Sequence, residues 1–101
     1  MAVLTKVAKK SEIPVGTGKV VEVGGKPLAI FNCEGAFYAV DNTCVHRGGP
    51  LGEGSLAGKT VTCPWHGWEY DVTTGTCQTM PNAKVQRYDV KVDGDDLLVS
   101  V

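Results

Sequence analysis

The chain holds two histidines, and each stands just behind a cysteine. The first pair is Cys44-Val45-His46 and the second is Cys63-Pro64-Trp65-His66. Spacings this short put a sulfur and an imidazole on a single turn. Two such turns side by side can grip one metal centre from two directions. Sixteen residues, 47–62, separate the pairs. Cys44, His46, Cys63 and His66 are therefore the candidate ligands of one centre. With 101 residues the chain has a modest core, to which a metal cross-link adds useful stability.

The rest of the sequence reads as short strands. Lys19 to Val23 is rich in β-branched residues and runs into Gly24-Gly25, a two-residue hairpin signal. Leu28 to Cys33 is the return strand, and Glu34-Gly35 turns again into Ala36–Val40. Val85, Tyr88, Val90 and Val92 lead to the turn Asp93-Gly94, after which Leu97, Leu98, Val99 and Val101 close a last hairpin. No long segment has the apolar spacing of a helix. Only Ser11 to Pro14 is expected to hold a helical turn, with Ser11 as its cap and Pro14 as its limit. Between Val40 and Thr60 the strand pattern stops, and the glycine-rich stretch 41–59 reads as a long functional loop. These signals predict an all-β, mostly antiparallel fold, with residues 1–101 as a single domain.

Composition excludes several functions. A formal net charge of −1 supplies no basic field for nucleic acid or an anionic membrane. No apolar run approaches the roughly 20 residues that cross a bilayer. The opening MAVLTKVAKKSEIPVG has no apolar stretch followed by a small-residue cleavage site, so it does not read as a secretory signal. A cytoplasmic protein is expected, and in that compartment cysteines serve more often as ligands than in disulfides. No nucleophile–base pair, phosphate-binding loop or nucleotide fingerprint is present, which points to a carrier rather than an enzyme.

Two cysteines and two histidines suit zinc as well as an iron–sulfur centre, although a zinc finger places both cysteines first. Replacing two cysteines of a [2Fe–2S] site by histidines on one iron defines the Rieske centre. At these residues the sequence resembles that family. The C-x-H and C-x-x-H pairs are followed by Arg47-Gly48-Gly49-Pro50-Leu51 and by Gly67-Trp68-Glu69-Tyr70-Asp71, with Thr74-Gly75 shortly after. The combination is similar to the small ferredoxins that serve bacterial Rieske oxygenases acting on aromatic rings.

The resemblance implies three small antiparallel sheets and a cluster-binding subdomain at about 42–70, made by two loops. Cys44 and Cys63 would bind the inner iron, and His46 and His66 the outer one. A third loop around Met80-Pro81-Asn82 would cover the single [2Fe–2S] cluster. With two ferric ions, two sulfides and two thiolates the oxidised centre is neutral, so one added electron leaves only a single negative charge. The implied role is a soluble monomer that passes electrons from an NAD(P)H-dependent flavoprotein reductase to a terminal oxygenase, with contacts near His46 and His66. The alternative is a small Rieske-like subunit of an assimilatory nitrite reductase.

The chain departs from the respiratory members. Gly49 and Trp65 stand where those carry a disulfide, and Trp68 replaces a serine that donates to a sulfide. Fewer donors imply a potential near the low end of the roughly −150 to +300 mV Rieske range. Tyr70 matches a tyrosine that donates to a ligand sulfur, here that of Cys44, and would raise the value somewhat. Cys33 and Cys77 belong to no motif and read as buried thiols. Of Trp65 and Trp68, one is expected to cover the centre and the other to be partly exposed. Asp89, Asp93, Asp95 and Asp96 read as a solvated hairpin end, and Arg47 as a docking or solvated charge.

Overall fold

A computed structural model describes residues 4–43, 50–65, 67–79 and 83–100. Its strands are β1 (Leu4–Lys9), β2 (Gly18–Val23), β3 (Lys26–Cys33), β4 (Ala36–Asp41), β5 (Ser55–Ala57), β6 (Thr60–Thr62), β7 (Glu69–Asp71), β8 (Arg87–Tyr88), β9 (Val90–Asp93) and β10 (Asp96–Ser100). They form three antiparallel sheets, ordered β1-β10-β9, β2-β3-β4-β8 and β5-β6-β7. The three-sheet architecture implied by the sequence is therefore present.

The hairpins follow their turn residues. β2 and β3 join through Gly24 and Gly25, both at positive φ (59° and 82°), as this tight connection demands. From Leu28 onward, β3 is buried on both faces. Ala29, Phe31 and Cys33 pack with Val40, Leu51, Val61, Cys63, Tyr70, Val72, Cys77 and Val85 on one side. Leu28 and Ile30 pack with Ala8, Ile13, Val21, Val23, Ala39, Leu97 and Val99 on the other. The middle sheet thus separates two cores, one shared with the terminal sheet and one with the sheet of β5, β6 and β7. A strand buried on both faces reads as a continuous apolar run instead of alternating, as Leu28 to Cys33 does.

One polar side chain interrupts that run. Asn32 is buried, but its amide donates to the Ile13 carbonyl (2.8 Å) and its Oδ1 accepts from the Gly35 N–H (2.8 Å). It fastens the segment before β2 to the β3–β4 turn. Its polar groups thus have partners, which offsets the cost of burying them.

Three sequence expectations need correction. The helical turn is a 3₁₀ turn over Lys10–Glu12, one residue earlier than expected, and Ser11 lies inside it instead of capping it. The Glu12 carboxylate accepts from the Lys9 N–H (2.7 Å), so the acidic side chain closes the turn in place of a serine hydroxyl. The Lys9 N–H and the nearby Lys19 ammonium lower the pKa of this exposed carboxyl. The stretch 41–59 is not all loop, because it contains β5. The run Val85 to Val92 is not one strand. Arg87–Tyr88 joins the middle sheet and Val90–Asp93 the terminal one, with Asp89 at the crossover.

Tyr88 secures that crossover. Its hydroxyl donates to Asp41 Oδ1 (2.8 Å), tying β8 to the end of β4. Burial and the adjacent carboxylate push the phenol up to about 12. An unfolded tyrosine ionises near 10, so the stabilisation is complete below about pH 10 and is lost as pH rises toward 12. Tyr88→Phe is expected to cost about 1 kcal/mol at neutral pH. The gap between wild type and variant should close above pH 10, which denaturant titrations across that pH range will read.

Candidate metal centre

Of the four residues picked out by the spacing, Cys63 lies among the described residues. Cys44, His46 and His66 lie outside them, as do Arg47, Gly49 and Met80-Pro81-Asn82. What the structure defines is the frame that carries these positions.

The first frame holds the flanks of residues 44–49. Asn42 follows β4 and is buried, and its N–H donates to the Pro27 carbonyl (3.1 Å). Its own carbonyl accepts from the Leu51 N–H (2.7 Å), and its side-chain Oδ1 accepts from the Gly52 N–H (2.7 Å). Thr43 and Pro50 form an antiparallel bridge. Leu51, wholly buried, begins a 3₁₀ turn over Leu51–Glu53. Entry and exit of the loop are thereby joined and sunk into the core.

The second frame is the β6–β7 hairpin. Thr62 pairs with Glu69, and beyond them the Cys63 N–H donates to the Trp68 carbonyl (2.7 Å). Cys63 is only 2% exposed and shares its core with Val61, Tyr70 and Cys77. Gly67 has φ +76°, a conformation that suits glycine in so short a turn.

The third frame follows β7. Asp71 Oδ1 accepts from the Thr73 N–H (2.8 Å) and hydroxyl (2.5 Å), and the chain turns back through Gly75. The Cys77 N–H then donates to the Ala83 carbonyl (3.0 Å), Gln78 N–H to the Glu69 carbonyl (2.7 Å), and Glu69 N–H to Thr79 Oγ1 (3.0 Å). The flanks of the expected covering loop are thus fixed against β7. Leu51, Cys63, Tyr70, Cys77 and Ala83 belong to one apolar cluster, so the three frames share a single base.

The environment of Cys63 suits a ligand. An isolated thiolate would be costly in so apolar a core, whereas a thiolate bound to a metal is neutralised by it. Together with Cys44, His46 and His66 the donor set is soft thiolate plus imidazole, which fits a mixed-ligand [2Fe–2S] site. Among the described residues, no other group of His, Cys, Asp and Glu is placed to hold a metal.

The other candidates sort by burial. Cys33 is a free, buried thiol, so no bridge joins it to Cys77. Burial raises its pKa, Asp71 and Glu34 add to the rise, and Lys59 opposes it. It pairs with Ala36 at the β3–β4 turn, the opposite end of that hairpin from Asp41 and the first frame. Trp68 packs against the core that holds Cys63, and Trp65 is 50% exposed. Tyr70 is wholly buried beside Cys63. Its expected bond to Cys44 falls outside the described residues. Asp93, Asp95 and Asp96 stand at the β9–β10 hairpin end, Asp93 and Asp95 exposed and Asp96 paired with Lys6 (3.2 Å), whereas Asp89 lies at the other end of β9, at the crossover, and pairs with Arg87 (3.1 Å). Sequence reading passed over Asn42, Gly52 and Gly54. The signal available was a polar residue at the end of an apolar strand, two positions before a candidate ligand.

Comparison with known proteins agrees with this frame. Residues 3–95 match the Rieske [2Fe–2S] domain family. The chain is 36% identical over 91 residues to the ferredoxin component of a naphthalene 1,2-dioxygenase system from Pseudomonas aeruginosa, covering 89% of this chain and 88% of that one. A solved complex of reduced oxygenase and oxidised ferredoxin in carbazole 1,9a-dioxygenase matches with a TM-score of 0.89 and 32% identity, over 97% of this chain and 93% of the other. A solved structure from Mycobacterium tuberculosis, described as a candidate NADH-dependent nitrite reductase small subunit, superposes with a TM-score of 0.92 over 100% of this chain and 96% of that one, but at 22% identity the likeness is one of fold.

The exit of the first loop depends on close packing. A β-carbon on Gly54 would strike the Thr62 carbonyl oxygen, and one on Gly52 would lie 2.5 Å from Val20 Cγ2. Gly54→Ala is expected to destabilise the protein by about 2 kcal/mol, as overpacking against rigid backbone does. Thermal unfolding beside the wild type measures it.

Proposed function

The chain belongs to the Rieske [2Fe–2S] domain family, and on that footing we propose that it is the ferredoxin of a multicomponent aromatic-ring oxygenase system, holding its cluster through Cys44, His46, Cys63 and His66. The observation that carries this reading is the 36% identity to a dioxygenase ferredoxin component across nearly the full length of both chains. The chain is an electron-transfer component, not itself an enzyme. When bound, the cluster supplies one-electron chemistry near neutral charge. The protein's part is to bury the Cys63 side of the site and to hold the flanks of the loops on a shared base.

Residues 1–101 act as a single domain, with the cluster-binding part at about 42–70. The electron comes from an NAD(P)H-dependent flavoprotein reductase and goes to a terminal Rieske oxygenase. Contacts form near His46 and His66, where half-exposed Trp65 offers an apolar anchor beside His66 in the chain. Transient exchange with two partners suits a monomer. The cytoplasm is the expected compartment, where thiols stay reduced and cysteines serve as ligands. No helix among the described residues is long and apolar enough to cross a membrane. The nitrite reductase reading has only fold likeness behind it.

Two measurements test the proposal. Aerobically purified protein should be brown, and after reduction by dithionite it should show an anisotropic EPR signal with average g of about 1.9, as mixed histidine and cysteine ligation predicts. A colourless protein with stoichiometric zinc would overturn the carrier reading. Cys63→Ser should lose the signal and the iron, whereas Cys33→Ser should retain both and lose only stability, by about 1–3 kcal/mol for a polar group buried in an apolar site.

A further inference from the structure

We infer that Asn42 is a positioning residue for the first ligand loop, setting the separation of the two chain ends from which residues 44–49 run. The inference rests on the proposed roles of Cys44 and His46 and adds to them a residue that touches neither the electron's donor nor its acceptor.

Asn42 makes contacts at three levels. Its N–H is anchored on Pro27 (3.1 Å), at the start of β3, so its position is referred to the middle sheet. Its carbonyl holds Leu51 (2.7 Å) and its side-chain Oδ1 holds Gly52 (2.7 Å). The side chain is thus an acceptor that backbone alone does not supply, and it extends the Thr43–Pro50 bridge by one more link. Gly52 is shaped to receive it. A β-carbon there would sit 3.0 Å from Asn42 Oδ1 and 2.5 Å from Val20 Cγ2, so the close approach requires a residue without one. The acceptor is buried (Asn42 is 9% exposed), and losing it would leave the Gly52 N–H with an uncompensated cost.

The protein contains its own control. Asn32, also buried, bridges Ile13 and Gly35 through its side chain with two bonds of 2.8 Å, but at the opposite end of the β3–β4 hairpin. A merely structural role predicts like behaviour from the two asparagines; a positioning role predicts different behaviour.

The test compares wild type, Asn42→Ala, Asn42→Asp and Asn32→Ala, each purified with its cluster. The readouts are the g values of the reduced protein and the rate of iron loss to a chelator. Asn42→Ala should shift the g values and speed iron loss about tenfold, the size of effect that outer partners of metal ligands show. Asn42→Asp keeps an oxygen for the Gly52 N–H and should restore both readouts. Asn32→Ala should lower the melting temperature with g values unchanged. If Asn42→Ala keeps the wild-type g values, or if both alanine variants speed iron loss alike, the inference is overturned. If Asn42→Ala does not fold, amide exchange of the wild type decides: protected amides at Leu51 and Gly52 uphold the clamp, and freely exchanging ones overturn it. A wild type with no such EPR signal would instead refute the ligand assignment on which the inference stands.

Discussion

The two-sided burial of β3 is the constraint on which the rest of this structure depends. A strand with a core on each face must be covered twice, and a chain of 101 residues has few elements with which to do it. The terminal strands cover one face through Leu97 and Val99. The short sheet of β5, β6 and β7 covers the other through Val61, Tyr70 and Cys63. The second arrangement is what makes a site possible. Strands of three residues leave long connections, and those connections carry the candidate ligands. The apolar side chains beneath them supply rigidity that such short strands would not have alone.

Much of this was legible in the sequence, for identifiable reasons. Gly24-Gly25 and Glu34-Gly35 each mark a two-residue turn whose flanking strands then pair in the only register the turn allows. The turn read at Asp93-Gly94 lies one residue later, at Gly94-Asp95, because Asp93 is still in β9 and pairs with Asp96. The Cys–His pairs were equally plain, because their spacing expresses coordination chemistry directly. Strands β5, β6 and β7 were not legible, because three residues show no period and their pairing is decided by the core they cover. The division of Val85 to Val92 between two sheets was hidden for a related reason. Alternation shows that a segment is extended but not which neighbour it joins. Asn42 and Gly52 went unread because each matters only through the other, ten residues away.

The site and the fold are coupled asymmetrically. The core containing Cys63 and Tyr70 also holds Leu51 and Ala83, which flank the loops, so a change in volume there reaches the described loop flanks directly. The core containing Leu97, Ile13 and Val99 is separated from them by the middle sheet. Polar side chains fasten each region in its own way: Asn42 for the loop flanks, Asn32 for the distal turn, Tyr88 for the crossover between sheets. Asn42 and Asn32 join segments that the sheet ladders leave unlinked, whereas Tyr88 reinforces the short β4–β8 ladder at its end.

The pairing of Leu4 with Ser100 has a practical meaning for anyone attaching this protein to something else. The first and last described strands are neighbours in the terminal sheet, on the far side of the middle sheet from the core that holds Cys63. A tether at either end therefore leaves from the back of the molecule. On an electrode, a protein anchored in this way would be held by the sheet that lies across the middle sheet from Cys63.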